Sequence, residues 1–279
     1  MKINSELPNC LLDMNNKINE YDFVLFHLYI SDDIYKNYYL RQRESHPDRL
    51  MILDNSAYEF YVKGEELDLQ KYYEAIVELK PDFYILPDVL MDKDKTIKGV
   101  LEFQILHDED IKFFSPKSKA LAVAQGNTPI ELIECLHLYK ELIIKNIALP
   151  FHNEFFWKIG ATIQDDMQHS LIDIYKAPLT KDHLYALGRA QFVKNHKNEL
   201  TGFNYIHLLG SHCPFEKLFY GNEINSIDTG YPVKCAIAGY KLGEEPHKPE
   251  IIIDEFLNKD LDDEVKNMII DNVSIFKSL

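Results

Sequence analysis

Cysteine is scarce in this chain of 279 residues: Cys10, Cys135, Cys213 and Cys235 are scattered, and no two form a C-x-x-C pair. That spread excludes the close-set ligand pairs a structural zinc site needs, so no metal is expected. It points instead to free thiols in a reducing, cytoplasmic compartment. No apolar run reaches the roughly 18 residues of a membrane-spanning helix, and no membrane partner is expected. The stretch MKINSELPNC lacks the apolar centre of a signal peptide, which argues against export. Basic residues are in deficit, 30 Lys and Arg against 45 Asp and Glu, for a formal net charge of −15. Such a balance argues against a broad phosphate-gripping surface, because phosphates are neutralised by Lys and Arg. No tract rich in Pro, Gly or Ser divides the chain, and no repeat is visible, so one domain over residues 1–279 is the simplest organisation. No G-x-G-x-x-G, P-loop or H-E-x-x-H pattern occurs, leaving nucleotide-phosphate and zinc-hydrolase chemistry without a motif.

What the chain does have is apolar and aromatic content for a large core, 46% and 12% respectively, far more than disorder allows. Short runs rich in Ile, Val, Phe and Tyr read as strands buried on both faces. Eight are expected, at Phe23–Ile30, Leu50–Asp54, Phe83–Pro87, Ala120–Gln125, Asn146–Pro150, Asn204–Leu209, Ile224–Asp228 and Lys234–Ala238. Helix-period patterns lie between them at Leu67–Leu79, Lys93–His107, Thr128–Leu142 and Lys181–Lys197. Thr128 followed by Pro129 and Glu131 gives a helix start with its cap. This alternation predicts an α/β fold, a (β/α)8 TIM-type barrel first and a doubly wound open sheet second. Residues 151–180, which hold the only tryptophan, read as an insertion after the fifth strand, a lid or an extra packing helix. An amphipathic helix over Asp262–Phe276, within a closing segment 254–279, ends the chain.

Four of the apolar runs deliver polar groups able to do chemistry: Asp54, Asp88, Gln125 with Gly126, and Asp228. In parallel barrels the C-terminal strand ends carry the catalytic side chains. A lone aspartate there is more often a helix cap, but three together with Gln-Gly suggest one pocket. An aspartate can attack an anomeric carbon, a second can move the proton, and a third with an amide can read a purine edge. Tyr39–Arg49 concentrates three arginines, which read as a solvated helix end and loop, with a small phosphate contact ahead of Asp54 as the alternative. His27 reads as a satisfied interior histidine of the first strand. His207 reads as a strand histidine facing the pocket, and His212 and Cys213 as part of a surface loop rather than metal ligands.

The order of these segments resembles the tRNA-guanine transglycosylase superfamily, which makes queuosine and archaeosine and includes phage relatives acting on DNA. Asp54-Asn55-Ser56-Ala57-Tyr58-Glu59 resembles the family's Asp-Ser-Gly-Gly-aromatic-Gln stretch, with Ser56-Ala57 in place of the two glycines and Glu59 in place of Gln. The resemblance implies Asp54 as general base and Tyr58 as the ring that stacks on the purine. It implies Asp88, Gln125 and Gly126 as the groups that recognise the base. His207-Leu208-Leu209-Gly210 resembles the family's Tyr-Leu-Met-Gly segment, which places Leu209 on the other face of the base with Gly210 beside it. Ser226-Ile227-Asp228-Thr229 resembles the stretch that holds the nucleophile, which implies Asp228 in that role. IALP at Ile147–Pro150 stands where the family has a glycine pair, and the family's zinc ligands have no counterpart. The likeness is therefore to a zinc-less, phage-type branch. Its implied substrates are a nucleic acid, DNA or tRNA, and a free 7-deazaguanine base, with no cofactor. A nucleoside glycosidase or ribosyltransferase, or a non-catalytic base- or partner-binding barrel, are the alternatives, and a homodimer is compatible with either.

Overall fold

Among the described residues eight short strands form: β1 Lys2–Ser5, β2 Asp22–Leu25, β3 Met51–Asp54, β4 Phe83–Ile85, β5 Lys119–Val123, β6 Asn146–Leu149, β7 Tyr205–Leu208 and β8 Ser226–Thr229. The computed structural model describes residues 1–151, 153–163, 180–244 and 259–278. The strand order is β1-β8-β7-β6-β5-β4-β3-β2, and helices separate the strands in sequence. This is an α/β fold of the (β/α)8 TIM type. The pairing is parallel, with Leu25 opposite Asp54, Leu53 opposite Tyr84, Ile85 opposite Leu121, Val123 opposite Ala148, His207 opposite Ser226 and Asn4 opposite Asp228. Strands β2, β3, β6 and β8 are buried at every position, as strands covered on both faces must be.

Two of the expected strands are corrected, and one strand is unexpected. Only the first part of Phe23–Ile30 is strand, and Phe26–Ser31 is a helix that buries Phe26, His27, Leu28 and Tyr29. A short run apolar on all sides does not distinguish a buried strand from a buried helix. Lys234–Ala238 belongs to the helix Tyr231–Ile237, which starts with Pro232 in its first turn, where a missing N–H does no harm. The remaining strand is β1, whose sequence KINS holds a single apolar residue. It is kept in place by pairing with β8 and by Asn19, whose Oδ1 accepts from Ser5 N at 2.7 Å and whose Nδ2 donates to Ser5 O at 2.8 Å. Thr128 caps its helix as expected, accepting from Glu131 N at 3.2 Å. Most of the expected insertion, residues 152 and 164–179, lies outside the described residues.

The chain falls into two compact units. One comprises Tyr21–Leu149 and Gly202–Ile206. Its interior is aromatic: Phe26 meets Phe60 and Tyr72 edge-on, and Tyr72 lies against Phe103. The Tyr72 hydroxyl donates toward Ile85 O at 2.7 Å, within reach of Leu53 O at 3.2 Å, which ties its helix to β3 and β4. The other unit comprises Met1–Glu20, Pro150–Thr201 and His207–Leu279. In it the helix Asp263–Ser278 buries Ile269, Asn272, Val273 and Phe276, the i, i+3, i+4, i+7 stripe of an amphipathic helix. Ile269 and Val273 pack with Leu7, Leu11, Ile18, Val233 and Ala236. Asn272 satisfies itself inside this core, donating to Pro232 O and Tyr240 O and accepting from Leu242 N. Within the same unit the helices Glu154–Thr162 and Lys181–Asn195 come unusually close. A Cβ on Gly188 would fall 1.7 Å from Phe156 O, and one on Gly160 would fall 2.0 Å from Leu184 O.

Candidate active site

In the unit built on β2–β6, Asp54 is the last residue of β3 and is buried. Its Oδ2 accepts from Ser56 N at 2.8 Å, so the carboxylate closes a tight turn into the helix Ala57–Lys63. Ser56 takes the left-handed conformation at φ 58°, which a residue with a Cβ adopts at a cost of about 1 kcal/mol. Its hydroxyl offsets this strain by meeting His27 N at 3.2 Å and His27 Nδ1 at 2.9 Å. His27 is thus an interior, satisfied histidine, held on a helix rather than a strand. Tyr58 follows on the outside of the turn with 55% of its surface exposed.

Asp88 lies just beyond β4, and Gln125 just beyond β5. Asn55 Nδ2 donates to Asp88 Oδ1 at 2.8 Å, and Gln125 Nε2 donates to Asp88 Oδ2 at 2.7 Å. Neither amide is at liberty to turn over, because Asn55 Oδ1 accepts from Ala57 N and Gln125 Oε1 accepts from Met91 N. Asp88 therefore faces two donors, an arrangement suited to a carboxylate. Burial pushes its carboxyl above the ordinary 3.8, while the two amide donors pull it back. A carboxylate has about four lone-pair sites, and two remain for a ligand once the amides are served. Gly126, next in line, has a packing reason for lacking a side chain: a Cβ there would lie 2.8 Å from Glu131 Cβ and 2.9 Å from Leu132 N. Asp88→Asn should lower the urea-unfolding stability by about 1–3 kcal/mol, since the new NH2 must face one of the two fixed donors. An unchanged midpoint would mean that the amides are not fixed.

Two of the three arginines of Tyr39–Arg49 are committed elsewhere. Arg49 Nε donates to Asp22 Oδ1 at 2.9 Å and Arg43 Nη2 to Asp82 Oδ2 at 2.8 Å. Asp22 opens β2 and Asp82 immediately precedes β4, so these pairs stand at the N-terminal ends of strands, opposite to the end that carries Asp54. A phosphate contact beside Asp54 is not what Arg43 and Arg49 form.

In the other unit Asp228 sits in β8, 4% exposed. His207 on β7 is fully buried, with Nε2 at 2.9 Å from Asp228 Oδ1 and Nδ1 at 2.7 Å from Ser226 Oγ. A proton on Nε2 suits an ionised Asp228 and leaves Nδ1 to accept the Ser226 hydroxyl. The Gly210 amide points at the same carboxylate, 3.0 Å from Oδ1 and 3.1 Å from Oδ2. Leu209 and Gly210 are half-buried, and Gly210 has φ 62°. The segment after it is no surface loop. Ser211, Cys213, Phe215 and Glu216 are buried, and burial holds the Cys213 thiol well above its usual range. His212 rests against the rings of Phe151 and Tyr231. Among the described residues no group of three or more His, Cys, Asp or Glu is placed to hold a metal ion, and no helix is long and apolar enough to cross a membrane.

Sequence reasoning misses the role of Asn55, which orients Asp88, and the buried pair of Arg189 with Glu216. A signal for Arg189 is present, a charged residue between Gly188 and Ala190 in the otherwise uncharged run LYALGRAQF. No model of a known protein family matches the chain, and neither does any curated protein.

Proposed function

We propose that this chain is a base-exchanging transglycosylase that replaces guanine in a nucleic acid, DNA or tRNA, with a 7-deazaguanine. The observation that supports this most is Asp228, a buried strand-end carboxylate held in one orientation by His207 and the Gly210 amide. Such a group is poised to attack a carbon whose leaving group is poor, which is what a nucleotide's anomeric carbon presents. In the proposed reaction an Asp228 oxygen bonds to C1′ as the C1′–N9 bond breaks, and guanine takes a proton from water and leaves as a neutral base, Asp54 returning to water at the end of the cycle the proton it receives from the incoming base. The incoming deazaguanine then gives its ring N–H proton to Asp54 and attacks C1′, and Asp228 departs as carboxylate. Electrons balance without any redox partner. Tyr58 and Leu209 cover the two faces of the base, Asp88 and Gln125 read its edge, and Gly126 and Gly210 allow its close approach. The target nucleotide must leave its stack to react.

A second reading, exchange or hydrolysis on free nucleosides, is favoured by the net charge of −15 and by the pairing of Arg43 and Arg49 with aspartates. Incubation with radiolabelled guanine separates the readings. Label should enter tRNA or DNA and be chased out by a deazaguanine. Label entering only a free nucleoside would establish the second reading. Binding of guanine with no incorporation into either would leave a base-binding barrel.

A further inference from the structure

Arg189 lies on the helix Lys181–Asn195 with none of its surface exposed. The close approach of Gly188 to Phe156 and of Gly160 to Leu184 brings its backbone this deep. The guanidinium stands 4.9 Å from the centre of the Phe151 ring, and four of its five N–H donors reach named acceptors. Nε and Nη2 each donate to Glu216 at 2.9 Å, Nη1 donates to Leu209 O at 2.9 Å and Nη2 to Gly210 O at 2.8 Å. Glu216 is buried as completely, and takes further hydrogen bonds from the hydroxyls of Ser211 and Tyr220. A buried ion pair of this kind is weak evidence for stability, because apolar replacements of the same volume often serve as well. Its geometry accounts for it better.

Leu209 O and Gly210 N belong to the same peptide group. Its carbonyl faces the Arg189 guanidinium and its N–H faces the Asp228 carboxylate. We infer that Arg189 is a positioning residue for Asp228. By holding the Leu209 and Gly210 carbonyls it fixes the plane of that peptide, and so aims the Gly210 N–H at the carboxylate. A cation on the carbonyl also draws electron density toward oxygen and makes the N–H on the other side a better donor. Gly210, at φ 62°, has no side chain to limit its rotation, so the guanidinium supplies the constraint from outside. For turnover this inference rests on the transglycosylase reading, but for the placement of the Gly210 amide it does not.

Two variants test it. Arg189→Lys keeps the charge but cannot reach Glu216 and two carbonyls together. Arg189→Met combined with Glu216→Gln removes both charges, so that no buried carboxylate is stranded if the single variant fails to fold. The readouts are hydrogen exchange at the Gly210 amide by NMR, and single-turnover adduct formation set against substrate affinity. The expected result is a cooperatively unfolding double variant whose Gly210 amide exchanges about tenfold faster or more, with the amides of β8 unchanged. Adduct formation should fall about tenfold to a hundredfold with little change in affinity. An unchanged Gly210 amide in the folded double variant would overturn the inference, as would affinity falling in step with rate. If even the native protein forms no adduct, it is the functional reading that fails, and the Gly210 amide still decides the role of Arg189.

Discussion

Asp228→Asn should abolish the covalent adduct between protein and nucleotide, while Asp54→Asn should let it accumulate. An amide is a poor nucleophile, and loss of the attacking group lowers turnover by roughly 10⁴-fold or more. The first substitution would also set an NH2 group among donors, since His207 Nε2 and the Gly210 amide both face the Asp228 carboxylate. Asp54 has a different task in the proposed reaction, and its removal should slow completion by about 10²–10⁴-fold while sparing attack. Asparagine is the right substitution there because its carbonyl can still accept from Ser56 N and keep the turn. A denaturing gel with labelled DNA or tRNA reads both. An adduct that survives in Asp228→Asn and disappears in Asp54→Asn would mean that the two carboxylates have the opposite roles.

Gly188→Ala should be strongly destabilising. Its new carbon would stand 1.7 Å from Phe156 O, far inside contact distance. The two helices must separate to admit it, along a surface where Phe155 and Phe156 meet Phe192. Overpacking of a tight contact typically costs about 1–3 kcal/mol and occasionally more. A backbone carbonyl offers no flexible end to yield, so a cost at the upper end of that range, about 3 kcal/mol or more, is expected here. The matched control is Gly99→Ala on the helix Lys93–Phe114, where the added carbon would meet Pro87 O at an ordinary 3.6 Å. There alanine should be neutral or stabilising by up to about 1 kcal/mol, from helix propensity alone. Urea unfolding of both variants compares them directly. Equal midpoints would show that the Glu154–Thr162 and Lys181–Asn195 helices do not approach so closely.

The strands that end near Asp54, Asp88 and Gln125 are legible because each is an uninterrupted apolar run, the pattern that burial on both faces imposes, whereas the stretch before Asp228 reads INSI, with Asn225 and Ser226 between its two isoleucines. β1 is not, since KINS carries only Ile3 as a hydrophobic signal and owes its place to partners far along the chain. The helix Tyr231–Ile237 reads as a strand for the converse reason: CAIA is apolar enough for one, and the Pro232 that opens a helix is the cue that decides it. His207 can be read as a strand histidine, but not its bond to Asp228, which follows from the β7–β8 register that sets His207 opposite Ser226. Asn55 is visible only as part of a motif. That its amide spans to Asp88 depends on how β3 and β4 sit side by side, and spacing along the chain carries none of that.

The pairing of β1 with β8 also has a consequence in time. Lys2 finds its partner at Ser226, and Lys277 Nζ donates to Ile18 O, so an earlier-made segment waits for one made much later. While the chain grows, Met1–Glu20 has no template to pair with, whereas β2 to β6 can find their neighbours as each emerges. Loop closure over such a span is slow, and an unpaired strand is adhesive until it is capped. β1 answers this hazard with its own sequence: a strand of Lys, Ile, Asn and Ser is a poor seed for aggregation, and the single isoleucine that makes it hard to recognise also makes it safe to leave waiting.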